Sequence, residues 1–297
     1  MTSLDVAGPE RAGFVEVNRV RLRVWEWGDA AAPAIICAHG AQDHGRMWDD
    51  FAPRLATLGY RVVAPDLRGH GDSGRITSGH IWAASTIDLG LLARSLGPTV
   101  GLVGHSFGSG QLMWVAAVWP ELVRWVVSFD GLGPPPAAFA ERDLATAAAT
   151  ALTAGERAMF GPPRTYATRQ EMIERRQKAN PRLPLPWLEH LVAHGSIETE
   201  GGYVWKHDRM FNIGLPGDFT IAHLNAEHAL VRCPVLALTA GEHDTWSELT
   251  PAELQDRLDH LPGARHQVVE GAGHYLHLEQ PEAVFATVAA FIGEVGP

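Results

Sequence analysis

The chain reads as an α/β protein built on a mostly parallel sheet with helices on both faces. Three observations predict this. A continuous apolar run at Ala34 to Ala38 and largely apolar stretches at Arg61 to Ala64, Val100 to Val103 and Val123 to Phe129 suit buried strands. Helix-periodic stretches separate those runs, which is the rhythm of right-handed β–α–β crossovers. The runs end in glycine- and polar-rich turns, where such sheets gather functional groups at their carboxyl ends.

Taken in order, Phe14 to Trp27 alternates apolar and polar residues around Asn18-Arg19 and predicts an edge hairpin. Ala34 to Ala38 is the first buried strand, followed by His39-Gly40-Ala41-Gln42. Arg46 to Leu58 carries Met47, Phe51, Leu55 and Leu58 on one helical face, and Gly59 ends it. The next strand leads into Pro65 to Gly74, and a second helix spans Ile81 to Leu96 before Gly97-Pro98. After Phe129 the rhythm breaks at Gly133-Pro134-Pro135-Pro136. Helical patches follow at Glu141 to Thr153, Thr168 to Ala179 and Trp187 to His194, with no clear buried strand. Strands resume at Pro234 to Ala240 and His266 to Val269, and a helix from Pro281 to Ile292 closes the chain. The expected organisation is a core at 1–132, a helical lid at 133–230, and the rest of the core at 231–297.

Composition narrows the class. The chain has 297 residues, 46% of them hydrophobic, enough for a large core. A net charge of −10 argues against nucleic acid or an anionic membrane surface as partner. No run approaches a membrane span, and the first ten residues lack the basic start and apolar stretch of a signal peptide. Cys37 and Cys233 read as small buried hydrophobes. A cytoplasmic enzyme is the expectation.

The chemistry centres on Gly104-His105-Ser106-Phe107-Gly108, set between a buried strand and a helix. In that setting G-x-S-x-G holds a serine at the tip of a sharp turn. A serine nucleophile needs a base, and the base needs an orienting acid. Gly271-Ala272-Gly273-His274 follows the last strand and supplies the base. Gly241-Glu242-His243-Asp244 follows the strand before it and supplies the acid, giving the order Ser106, Asp244, His274. Asp130 also ends a strand and is the rival acid. The N–H groups of Ala41 and Phe107 are the expected oxyanion donors.

Two motifs are read as false signals. Gly69 to Gly74 fits G-x-G-x-x-G but follows a later strand and leads into a polar stretch, so no nucleotide site is expected. His190 and His194 lie one helical turn apart without an H-E-x-x-H glutamate, so packing is expected and no metal or other cofactor is required.

Together these motifs resemble the α/β-hydrolase fold superfamily. The carrying residues are His39-Gly40 with Trp48; Asp66 to Ser73; Gly104 to Gly108; Gly241 to Asp244; and Gly273-His274 followed by Glu279-Gln280-Pro281-Glu282. The resemblance implies an eight-stranded, mostly parallel sheet, a lid after strand six, and a triad mapped onto Ser106, His274 and Asp244. Dehalogenase and epoxide hydrolase relatives carry aspartate at the elbow, so Ser106 turns the expectation from those reactions to a serine esterase or lactonase. Ser109 stands where many relatives have a further glycine. His105, Trp187, Trp205, Met210 and Trp246, with Phe211 and Phe219, are the candidate lining of an apolar pocket for an uncharged hydrophobic ester or lactone. Rival reactions on the same triad are carbon–carbon bond hydrolysis and cofactor-free perhydrolysis. A rival of another class is a small-ligand receptor on the same scaffold.

Overall fold

The computed structural model describes residues 4–75, 81–134, 144–212, 220–242 and 249–296. Its centre is an eight-stranded sheet. The strands are β1 (Arg11–Val17), β2 (Val20–Trp27), β3 (Ala34–Ala38), β4 (Arg61–Pro65), β5 (Val100–His105), β6 (Val123–Phe129), β9 (Val235–Ala240) and β10 (Arg265–Val269). Their order is β1-β2-β4-β3-β5-β6-β9-β10. β1 and β2 are antiparallel to their neighbours, and every other pairing is parallel.

The alternation of side chains along a strand explains both faces at once. In β3, Ile35 and Cys37 join one apolar cluster with Trp48, Phe51 and Trp125, while Ala34, Ile36 and Ala38 join another with Leu102, Leu112 and Val126. The hairpin turn falls at Asn18 and Arg19, with φ of 44° and 58°, the paired left-handed geometry that matches strand twist. Asn18 tolerates it by donating from Nδ2 to Asp88 Oδ1 at 3.0 Å.

Helices α2 (Ile81–Leu96), α3 (Phe107–Val118) and α10 (Pro281–Val295) lie close to their expected bounds. The expected helix over Arg46 to Leu58 is instead two pieces, a 3-10 turn (Gly45–Trp48) and α1 (Phe51–Thr57). The reason is Pro53. A continuous helix would place it in the interior, where it lacks an N–H and crowds the preceding turn; restarting at Phe51 puts it in the first turn, where no donor is needed.

Between β6 and β9 the chain leaves the sheet. There it forms α4 (Leu144–Phe160), α5 (Arg169–Ala179), α6 (Leu185–Gly195), a hairpin of β7 (Ser196–Thr199) and β8 (Gly202–Trp205), and α7 (Ile221–His228). The hairpin is partly exposed, so it has no buried run to betray it in the sequence. α6 seats Trp187, Leu188, Leu191 and Val192 in the same cluster as Trp48 and Phe51, joining the insertion to the core. After β9 come α8 (Pro251–Asp259), then β10 and the short α9 (Leu276–Glu279). Both cysteines are free. Cys37 is buried as expected, whereas Cys233 is only half-buried. Among the described residues no helix is long and apolar enough to cross a membrane.

Candidate active site

Ser106 sits between β5 and α3 with φ 50° and ψ −119°, a conformation unfavourable for a residue with a side chain. The surroundings hold it there. Its N–H donates to Phe129 O at 2.9 Å, and its carbonyl accepts from Gly110 N at 3.2 Å. The flanking glycines are required by contact. A Cβ at Gly104 would stand 2.5 Å from Ser109 Cα, and one at Gly108 2.4 Å from Ala38 O. The turn is therefore wedged between β6 and the end of β3.

His274 lies in the loop after β10, buried, with its Nδ1 2.6 Å from Asp130 Oδ2. Asp130 directly follows β6 and has φ 45°. Its N–H donates to Leu238 O at 2.8 Å, and its Oδ1 accepts from Ala240 N at 3.3 Å. β6 and β9 are sheet neighbours, so an acid after either strand can approach the loop after β10. That is why the sequence left two candidates. In the structure Asp130 occupies Nδ1; Asp244 lies outside the described residues.

The elbow and the histidine loop are tied together. His105, next to Ser106, has its Nε2 3.0 Å from His274 O, with the two rings 4.6 Å apart. Expected as pocket lining, His105 is fully buried and supports the His274 loop from beneath. Burial lowers the His105 pKa to about 3, keeping it neutral. Gly131 closes the same corner, since a Cβ there would meet Ser106 O at 2.9 Å. Of the other histidines near the strand ends, His277 packs against both Trp48 and Phe129, and His266 Nε2 meets Thr239 Oγ1 at 2.8 Å.

The loop carrying Ala41 follows β3. His39 Nε2 accepts from Leu67 N at 2.9 Å, so its Nδ1 donates to Gly40 O at 2.7 Å. It is a neutral brace, with its pKa lowered to about 4 by burial. Gln42, at φ 62°, donates its N–H to His70 Nε2 at 3.2 Å. One feature of this loop had no signal in the sequence. Asp43 is buried against Arg176 of α5 and accepts from Tyr275 Oη at 3.0 Å, and Arg176 Nη2 donates to that same hydroxyl at 2.8 Å. Despite burial, the Asp43 carboxyl is held below its usual range by the Arg176 charge and nearby histidines. The insertion thus reaches the Ala41 loop and the residue after His274 with one guanidinium.

The expected pocket residues divide. Trp187 is buried in the core cluster and packs rather than lines. Trp205 is half-buried, stacked on His207 at 5.9 Å, and Met210 is half-buried in a 3-10 turn. Phe219, Trp246 and the Phe211 side chain lie outside the described residues. Among the described residues, an open hollow of about 460 Å³ lies along α4, from Thr146 to Arg157, apart from the strand-end residues; the site is located by its chemistry. The Gly69 to Gly74 loop wraps an internal anion. Asp66 Oδ2 accepts from Asp72 N at 2.8 Å, and a Cβ on Gly71 would stand 2.1 Å from that oxygen, so the loop is filled by its own carboxylate.

A strained serine at the elbow, its neighbour bonded to a loop whose histidine is held by a strand-end aspartate, defines a class, and comparison with known proteins agrees. The chain belongs to the alpha/beta hydrolase family, whose model matches residues 35–287. It is similar to Epoxide hydrolase A of Mycobacterium tuberculosis (strain ATCC 25618 / H37Rv), 35% identical over 52% of this chain and 43% of that protein. The chain thus aligns with less than half of that relative's length. It is also similar to a serine hydrolase-like protein of Danio rerio, 26% identical over 93% of this chain and 86% of the relative. Among solved structures, a hypothetical protein of Pseudomonas aeruginosa PAO1 superposes with a TM-score of 0.82 at 26% identity, covering 95% of this chain and 99% of the other. Family and relatives together support hydrolysis as the activity.

Proposed function

We propose that the protein is a serine hydrolase that cleaves carboxylic ester or lactone bonds of a hydrophobic small molecule through an acyl-enzyme. The observation that carries this reading is the 2.6 Å pairing of His274 Nδ1 with Asp130, in a loop bonded to the neighbour of the strained Ser106. Ser106 Oγ attacks the carbonyl while His274 takes its proton through Nε2. Asp130 fixes the tautomer and stabilises the imidazolium, in place of Asp244. The N–H groups of Ala41 and Phe107 receive the oxyanion, each such donor being worth about 3 kcal/mol of barrier. The imidazole then returns the proton to the leaving alcohol, and water repeats the sequence on the acyl-enzyme. The helical insertion, 133–230, acts as a lid, and two free cysteines suit a cytoplasmic setting.

Epoxide opening, the activity in one relative's name, fits Ser106 poorly. A carboxylate attacking an epoxide leaves an ester that water can cleave, whereas a serine oxygen leaves an ether. Carbon–carbon hydrolysis and perhydrolysis use the same triad and differ in products.

The test is a panel of p-nitrophenyl esters, lactones and epoxides, with mass spectrometry of the intact protein during turnover. Ester or lactone cleavage with an acyl mass on Ser106, absent in Ser106→Ala, supports the proposal. Turnover of epoxides alone, or saturable binding without turnover, overturns it.

A further inference from the structure

We infer that Asp49, His190 and His194 form a site for one divalent first-row transition metal ion of the zinc class, joining α6 to the segment between β3 and α1. The site lies outside the hydrolytic residues and does not depend on their assignment.

His190 and His194 stand one turn apart on α6, on one face. The third ligand comes from far away in sequence, and its carboxylate is completely buried. One ligand atom from each of the three residues lies within 4.8 Å of the others. His190 Nε2 is 3.1 Å from Asp49 Oδ2, close to the roughly 3.3 Å edge of a tetrahedron with zinc–ligand bonds of about 2.0–2.1 Å. Two imidazoles and one carboxylate suit zinc and its neighbours and are a poor match for calcium or magnesium, which prefer all-oxygen shells.

A positive charge already sits among these groups. Arg46 Nη2 lies 2.6 Å from Asp49 Oδ2, its Nε 2.8 Å from both carboxylate oxygens, and its Nη1 3.4 Å from His194 Nδ1. The last contact requires an unprotonated Nδ1, so that lone pair faces the cluster. His190 Nε2 meets two acceptors, Asp49 Oδ2 and Arg46 O at 3.0 Å, and carries its hydrogen there; moving that hydrogen to Nδ1 frees the second lone pair. The other nearby cation, Lys206, is held by Asp72 at 2.7 Å. The guanidinium therefore stands in for the metal, and the ion enters by displacing it.

This competition gives a signature that a mere docking knot lacks. Zinc is titrated into the full-length protein against a chromophoric chelator at neutral pH, and cobalt(II) absorption reads out tetrahedral coordination. Wild type is expected to bind one ion. His190→Ala and His194→Ala weaken it by at least the roughly 100-fold that losing even an outer-shell partner can cost. Arg46→Gln tightens it about tenfold or more, the effect of removing a competing contact of about 1.4 kcal/mol. Near-UV circular dichroism checks folding, and His194→Gln serves where the alanine variant unfolds. One-to-one binding unchanged in the histidine variants, or no one-to-one binding in either wild type or Arg46→Gln, overturns the inference.

Discussion

Two regions of this molecule pair aspartate with histidine. At the carboxyl end of the sheet, Asp130 meets His274 Nδ1 at 2.6 Å; on the flank, Asp49 meets His190 Nε2 at 3.1 Å. The residue types are the same, but the third group differs. The His274 loop is bonded to His105, the neighbour of a serine on a strained turn; beside His190 and His194 is a guanidinium. A carboxylate that orients an imidazole towards a hydroxyl builds a proton shuttle. One that shares its charge with arginine and a second imidazole builds a cation site. The same pair therefore takes its chemistry from what completes it.

The largest effect comes from breaking the sheet-end pair. Asp130→Asn is expected to lower kcat by about 10⁴-fold by presenting the wrong hydrogen to Nδ1. Asp244→Asn is expected to cost far less, and steady-state kinetics on both variants decides between the two acids. The reverse ranking would make Asp244 the acid.

Next is the ion pair by which the insertion grips the active-site loops. Arg176→Met leaves the Asp43 carboxylate buried without its countercharge, a loss of about 3–5 kcal/mol. Urea denaturation measures it, and adding Asp43→Asn recovers part of the loss. Equal midpoints for wild type and Arg176→Met would mean the contact contributes nothing.

Acid sharpens the comparison differently. His39 and His44 are held neutral to about pH 4, and His70 and His105 to about pH 3, all chiefly by burial, against an ordinary pKa of 6.5. Below pH 6.5 the unfolded chain binds protons that the fold refuses. Stability therefore falls from about pH 6.5 towards 4, by up to about 1.4 kcal/mol per unit for each such histidine. Denaturation midpoints that stay flat between pH 7 and 5 would contradict this.

The smallest effect lies far from both pairs. Burial pushes the Glu227 carboxyl up to about 9, so the fold keeps it neutral while the unfolded chain ionises it above pH 4.5. Stability declines as pH rises through that interval, and Glu227→Gln is expected to be more stable than wild type at pH 8. A thermal shift of opposite sign would refute it.

The sequence carried the sheet and the elbow because both are written in local pattern. Buried runs announce β3, β5 and β6, and the glycines around Ser106 are forced by contacts within a few residues of the turn or one strand away. What it could not carry is choice among neighbours in space. Asp130 and Asp244 follow adjacent strands, and no local pattern ranks one above the other as the partner of Nδ1. Arg176 looks like any exposed helical arginine until Asp43 is found beneath it. His190 and His194 lacked a third ligand because Asp49 sits some 140 residues earlier. The break before α1 was legible in Pro53, whose weight against a continuous helix was underrated.

The central claim is that Ser106 is an activated nucleophile. A fluorophosphonate probe tests it most directly, with folded wild type beside Ser106→Ala. Rapid labelling of wild type at Ser106 is expected, and none of the variant. Unlabelled wild type, or a variant that still labels, would contradict it.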